Sequence, residues 1–84
     1  IINKNYTINN LKKNFFDIID TKANFILLKF KNEKLANSYV NFLNKKKITV
    51  RSLTSYGLPN YIRMTIGTLS DMKKTVKISN KFNV

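Results

Sequence analysis

The stretch RSLTSYGLPNYIRMTIGT, residues 51–68, decides the fold. It holds the only proline of the chain (Pro59), both glycines (Gly57 and Gly67) and both arginines (Arg51 and Arg63), in a sequence whose other 14 basic residues are lysines. Its second half, YIRMTIGT, alternates. Ile62, Met64 and Ile66 fall on one side, and Tyr61, Arg63 and Thr65 on the other. This period of two predicts a strand with one buried face. The segment before it, ITVRSL (residues 48–53), is β-branched and alternating and predicts a second strand. Between them TSYGLPN carries Gly, Pro and Asn, the residues of a loop. Two strands around one loop form a hairpin. With a symmetric loop, Leu53 faces Tyr61 and Arg51 faces Arg63. The two guanidinium groups then lie side by side, on the face opposite Val50, Ile62, Met64 and Ile66.

Like charges facing each other across a sheet are destabilising. Such a pair makes sense where something negative sits between or above it. Arginine suits that purpose because its planar fork meets a carboxylate or phosphate through two parallel hydrogen bonds, which lysine cannot do. The plainer reading is two exposed arginines laying their stems on a sheet face, with the register slipped by the loop. Pattern alone leaves both readings open.

Working outward, ANFILLKF (residues 23–30) is a continuous apolar run and predicts a central strand. NEKLANSYVNFLNKKK (residues 32–47) predicts a helix, since Leu35, Ala36, Tyr39, Val40 and Leu43 recur at three- and four-residue spacing. Asn32 is placed to cap its start, and three lysines stand where a helix C-terminus favours positive charge. After Gly67, Thr68 with Asp71 three residues on predicts the start of a last helix, running to about residue 78. INKNYTINNLKKN at the beginning is polar and reads as a helix end. FFDIID (residues 15–20) is too short for periodicity to assign, and SNKFNV at the end reads as loose. The resulting fold class is α+β: a small two-layer domain, with a mostly antiparallel three-stranded sheet and helices packed on one face.

Composition narrows the chemistry. Eighty-four residues make a single domain with a modest core, and an apolar share of 43% is enough to build one. There is no cysteine and no histidine, and the carboxylates number four: Asp17, Asp20, Glu33 and Asp71. Disulfide, thiol and imidazole chemistry are excluded, no metal ligand set is expected, and the catalytic inventory is close to nil. No apolar run approaches the length of a membrane span and no signal segment shows. A chain starting at Ile1 suggests a piece of something longer. The net charge of +12 invites a polyanion. Yet lysine, asparagine and isoleucine make up 37 of the 84 residues, and the lysines are scattered. That fits drift from A/T-rich codons better than a nucleic-acid face, where arginine and aromatics cluster.

From about Lys22 to Lys77, the order ANF-strand, helix, KITVR, YGLP and IRMTIGT resembles the C-terminal small domain of histidinol-phosphate aminotransferase, a fold-type-I, pyridoxal-phosphate-dependent family. The R-x-T-I-G-T element is specific to this and closely related aminotransferases, whereas the ANF strand alone is weak. Lys47 stands where the family usually has glycine. The resemblance implies that Arg63 pairs with the α-carboxylate of the substrate and that Arg51 reaches the phosphate of histidinol phosphate. It implies ping-pong amino transfer between histidinol phosphate and glutamate or 2-oxoglutarate, with pyridoxal 5′-phosphate as the electron sink. The parent would be a cytoplasmic homodimer of histidine biosynthesis. The Schiff-base lysine, the aspartate on the pyridine nitrogen and the phosphate cup belong to the family's large domain, and no residue here matches them. On this reading residues 1–84 are a substrate-binding lobe with no catalytic or cofactor-binding residue of its own, inactive alone.

Two alternatives remain. An aromatic amino-acid aminotransferase fragment would share the R-x-T-x-G-T element. A free-standing basic RNA-binding α+β module would use the charge, with Phe25, Phe30 and Tyr61 as conceivable stacking groups. It lacks an RNP-type aromatic pattern and a G-x-x-G loop, so nucleic acid is the less favoured partner.

Overall fold

The computed structural model describes residues 2–84. Its elements are α1 (Ile2–Asn10), β1 (Phe16–Asp20), β2 (Phe25–Phe30), α2 (Glu33–Lys45), β3 (Arg51–Leu53), a 3-10 turn (Thr54–Tyr56), β4 (Leu58–Thr65) and α3 (Leu69–Ser79). The strands form one antiparallel sheet in the order β1-β2-β4-β3. The α+β, two-layer class is as the sequence indicates, but the sheet has four strands rather than three. The added strand is β1, from the unassigned FFDIID. Pairing supplies what its length could not: Phe16 lies opposite Phe30 and Ile18 opposite Leu28, which directs both inward.

The helices cover one face. β2 contributes Ile26, Leu28 and Phe30 to the core, β4 Ile62 and Met64, α2 Ala36, Tyr39 and Leu43, and α3 Met72 and Val76. The α2 stripe therefore does what its spacing indicates, and Leu35 and Val40 pack at the rim of this core. Both caps form as expected. Asn32 Oδ1 accepts from the Leu35 N–H at 2.9 Å, and Thr68 Oγ1 from the Asp71 N–H at 3.1 Å. At the other end of α2, the Lys47 N–H donates to the Asn44 carbonyl and the Ile48 N–H to the Leu43 carbonyl. This is a Schellman ending, and Lys47 occupies its left-handed position at φ 64°. A glycine would sit there without steric cost, which accounts for the glycine expected at that point. β3 starts at Arg51 and not at Ile48, whose N–H is committed to the cap.

Other expectations need correction. Leu53 pairs with Leu58 and not with Tyr61. The 3-10 turn absorbs the shift and closes on Gly57, which is left-handed at φ 77° and donates its N–H to the Thr54 carbonyl. Pro59 and Asn60 consequently belong to β4. The C-terminal residues are not loose either. Phe82 is 7% exposed, and its ring lies 5.2 Å from those of Phe15 and Tyr39 and 5.5 Å from that of Phe42. Asn80 ties this end to the end of α1, accepting from the Lys12 N–H and donating to the Asn10 carbonyl. The Tyr39 hydroxyl is deeply buried and shares a 2.6 Å hydrogen bond with Ser79. Burial raises its pKa to about 12, an effect that the Ser79 bond only partly offsets. Among the described residues no helix is long and apolar enough to cross a membrane.

Candidate anion-binding site

Among the described residues no helix covers the second face of the sheet. Across it run Ile19, Leu27, Arg63 and Arg51, one residue from each strand in direct register. The alternation of β4 puts Arg63 there, because Ile62 and Met64 on either side are drawn into the core. Arg51 faces Arg63 from the edge strand β3. The sequence reading thus brings the two arginines together correctly, even though the loop beyond them is not symmetric.

The pair lines an open cavity of about 330 Å³ together with Thr49, Val50 and Thr65. No carboxylate lies there. Among the described residues the one ion pair is Lys4–Asp20 at 3.1 Å, on the α1 side of the β1–β2 turn. Arg51 is exposed and Arg63 half-buried. The Arg63 Nε is buried and is the one buried side-chain nitrogen or oxygen among the described residues with no hydrogen-bond partner. Two positive groups side by side, with no carboxylate in the lining beside them, form a site that an anion would complete. The chemistry on offer is bidentate anion recognition.

Two neighbours of the site escape a reading by pattern. The Arg63 guanidinium stacks over the Phe25 ring, 4.2 Å from its centroid. Asn24, just before, accepts from the Ile66 N–H at 3.0 Å and donates its amide to the Ile66 carbonyl at 3.1 Å. The A-N-F and R-x-T-I-G-T segments are therefore in direct contact, with Asn24 clamping the end of β4 and Phe25 beneath its arginine. The β2–β4 register, with Phe25 opposite Thr65, would have disclosed both. The aromatic groups imagined for base stacking divide differently. Phe30 is 1% exposed and locked in the core, Phe25 is occupied by Arg63, and Tyr61 stands beside Lys29, whose Nζ is 6.0 Å from its ring centroid.

Gly67 follows, with its carbonyl accepting from the Asn3 side chain. A Cβ at Gly67 would lie 3.1 Å from Oδ2 of the exposed Asp71 side chain, a tight approach that a small shift of that carboxylate would relieve.

No family model matches this chain. Curated relatives do. It is 36% identical over 69 residues to the histidinol-phosphate aminotransferase of Clostridium botulinum (strain 657 / Type Ba4), covering 82% of this chain and 19% of that protein. It is 48% identical over 63 residues to the histidinol-phosphate aminotransferase of Campylobacter jejuni (strain RM1221), covering 75% of this chain and 17% of the relative. The enzyme of the same name from Brachyspira hyodysenteriae (strain ATCC 49526 / WA1) is 42% identical over 62 residues, 74% of this chain and 17% of its own length. The chain thus spans less than a fifth of the length of these three relatives.

Proposed function

The chain belongs to the histidinol-phosphate aminotransferase family, and from that premise we propose that it is the C-terminal, substrate-binding lobe of a pyridoxal-phosphate-dependent aminotransferase acting on histidinol phosphate and 2-oxoglutarate. The observation that carries this reading is the cross-strand pair Arg51 and Arg63, both lining one open cavity with no carboxylate to neutralise them. Arg63, half-buried in the centre of the sheet, is the group for the substrate carboxylate. Arg51, on the edge strand, has the freedom to reach a phosphate farther out. Each would hold its anion by two parallel hydrogen bonds, which fixes orientation as well as position.

The cavity does not fit the cofactor itself. Its lining of Thr49, Val50, Arg51, Arg63 and Thr65 offers no amine to form an imine and no carboxylate to pair with a pyridinium nitrogen. Pyridoxal phosphate therefore belongs to other parts of a longer protein, a cytoplasmic homodimer on this reading. The part played by these residues is to bind and orient the substrate.

A segment exchange tests the proposal. Residues 2–84 replace the matching segment of the Campylobacter jejuni enzyme, and turnover is measured with histidinol phosphate and with glutamate. The exchanged enzyme should be active, while the 84-residue chain with added pyridoxal phosphate should give background only. Arg63→Ala should raise KM for both substrates, and Arg51→Ala for histidinol phosphate alone. Equal losses with both substrates on Arg51→Ala would contradict the phosphate assignment.

A further inference from the structure

The sequence reading offers Phe25 only as a strand residue or as a stacking group for a base, yet three observations converge on a different role. Its ring carries the Arg63 guanidinium at 4.2 Å. The Arg63 Nε is buried with no hydrogen-bond partner, so no polar group of the described residues holds that end of the side chain in place. Asn24, the residue before Phe25, is bound to Ile66 through both its backbone and its side chain, which ties the platform to the strand that bears the arginine.

We propose that Phe25 is a positioning residue of the anion site: its ring holds the Arg63 guanidinium flat against the open sheet face, with Nε turned inward and the terminal Nη groups left to meet a carboxylate end-on. This rests on the reading of Arg63 as a carboxylate-binding group. An arginine side chain has several rotatable bonds, and one standing beside a second arginine is pushed away from it. A ring face attracts the cation while leaving its in-plane N–H donors free, because the attraction acts through the face of the guanidinium and the hydrogen bonds lie in its plane. Phe25 is therefore suited to oppose the repulsion from Arg51 without consuming a donor. A hydrogen-bonding partner in its place would occupy one of the donors that the ligand needs. Leu27, the direct partner of Arg63 on β2, offers no such face.

The composition makes the test unusually clean. With two arginines in the chain, the arginine Nε–H region of a proton–nitrogen NMR spectrum contains two signals, and loss of one in Arg63→Lys assigns it. The Arg63 signal should be shifted upfield by the Phe25 ring current. Phe25→Tyr should keep that shift and Phe25→Leu should abolish it, with the backbone amide pattern unchanged in both. Titration with glutarate, in a buffer free of other carboxylates and of phosphate, should move the Arg63 signal. The apparent Kd should be weakened by about 2- to 30-fold in Phe25→Leu and be near that of the original chain in Phe25→Tyr. Equal affinity and an equal Nε–H position in Phe25→Leu would overturn the role of Phe25. An Arg63 signal in the original chain that ignores glutarate would overturn the carboxylate reading of Arg63 itself, a different failure. Should Phe25→Leu lose its folded amide pattern, the original chain decides: an Arg63 Nε–H at its random-coil position overturns the stacking.

Discussion

The two faces of the sheet are made by the same strands and behave as opposites. Leu28 is fully buried under the helices, while Leu27, its neighbour in sequence, lies half-buried on the face without helices. On the covered face the polar groups are closed off within the domain. The Tyr39 hydroxyl, taken fully out of water, finds Ser79. On the open face Arg63 keeps a buried Nε with no partner and stands beside Arg51 with no counter-charge. The contrast separates two jobs. One face holds the domain together. The other tolerates the repulsion between its two arginines, as a surface does when its complement comes from outside.

The strongest test of this division uses the two adjacent leucines. Leu28→Ala should cost about 2–5 kcal/mol, since the cavity left among α2, β2 and β4 cannot collapse fully. Leu27→Ala should cost less than half as much in the same denaturant titration. Equal costs would mean that the open face is packed as tightly as the covered one.

A smaller effect sharpens the covered side. Tyr39→Phe should cost about 1–3 kcal/mol by leaving the Ser79 hydroxyl buried and unpaired. Its pH dependence has a definite sign. The folded pKa of Tyr39 is raised from 10.0 to about 12, so the folded chain holds the phenolic proton more tightly than the unfolded chain. The stability carried by neutral Tyr39 is complete below pH 10 and is lost as pH climbs from 10 towards about 12, at up to about 1.4 kcal/mol per pH unit. The gap in stability between the original chain and Tyr39→Phe should therefore narrow across that window. A gap that does not change with pH would refute the buried neutral phenol.

The smallest effect, of opposite sign, belongs to the open side. Arg51→Thr removes a like charge facing Arg63 and suits an edge strand. It should stabilise the domain by about 0.2–1 kcal/mol at low salt, with the gain fading as salt is added. Destabilisation by Arg51→Thr would mean that the pair is already neutralised within the domain.

How far these faces can be read without coordinates depends on the range of each signal. The Asn32 cap, the α2 stripe, the Thr68 cap and the alternation of β4 are all set within a few residues, and all are legible. The Arg51–Arg63 pairing is expected only on the premise of a symmetric loop; the loop is not symmetric, and the pairing stands because the register shift between Ser52 and Leu53 restores the alignment from Ser52–Ile62 onward. β1 is not legible, since five residues give no period until Phe30 and Leu28 stand opposite them. The Leu53–Leu58 shift is hidden in the 3-10 turn, whose closure depends on Gly57 adopting φ 77°. Phe82 sits between lysine and asparagine in sequence and looks like part of a tail. Only the gap between Phe15, Tyr39 and Phe42 makes it core.

The candidate site divides in the same way. Residue type and spacing alone single out Arg51 and Arg63, because local alternation assigns each to a face and the composition of the chain makes arginine rare. The sequence also determined the layer class and the near absence of catalytic side chains. Only the tertiary structure decided that Phe25 carries Arg63, that Asn24 locks Ile66 and that the Arg63 Nε is sealed without a partner. Those contacts join residues about forty positions apart across a strand register, and register follows from how every apolar side chain in the sheet finds its depth at once, not from any local period.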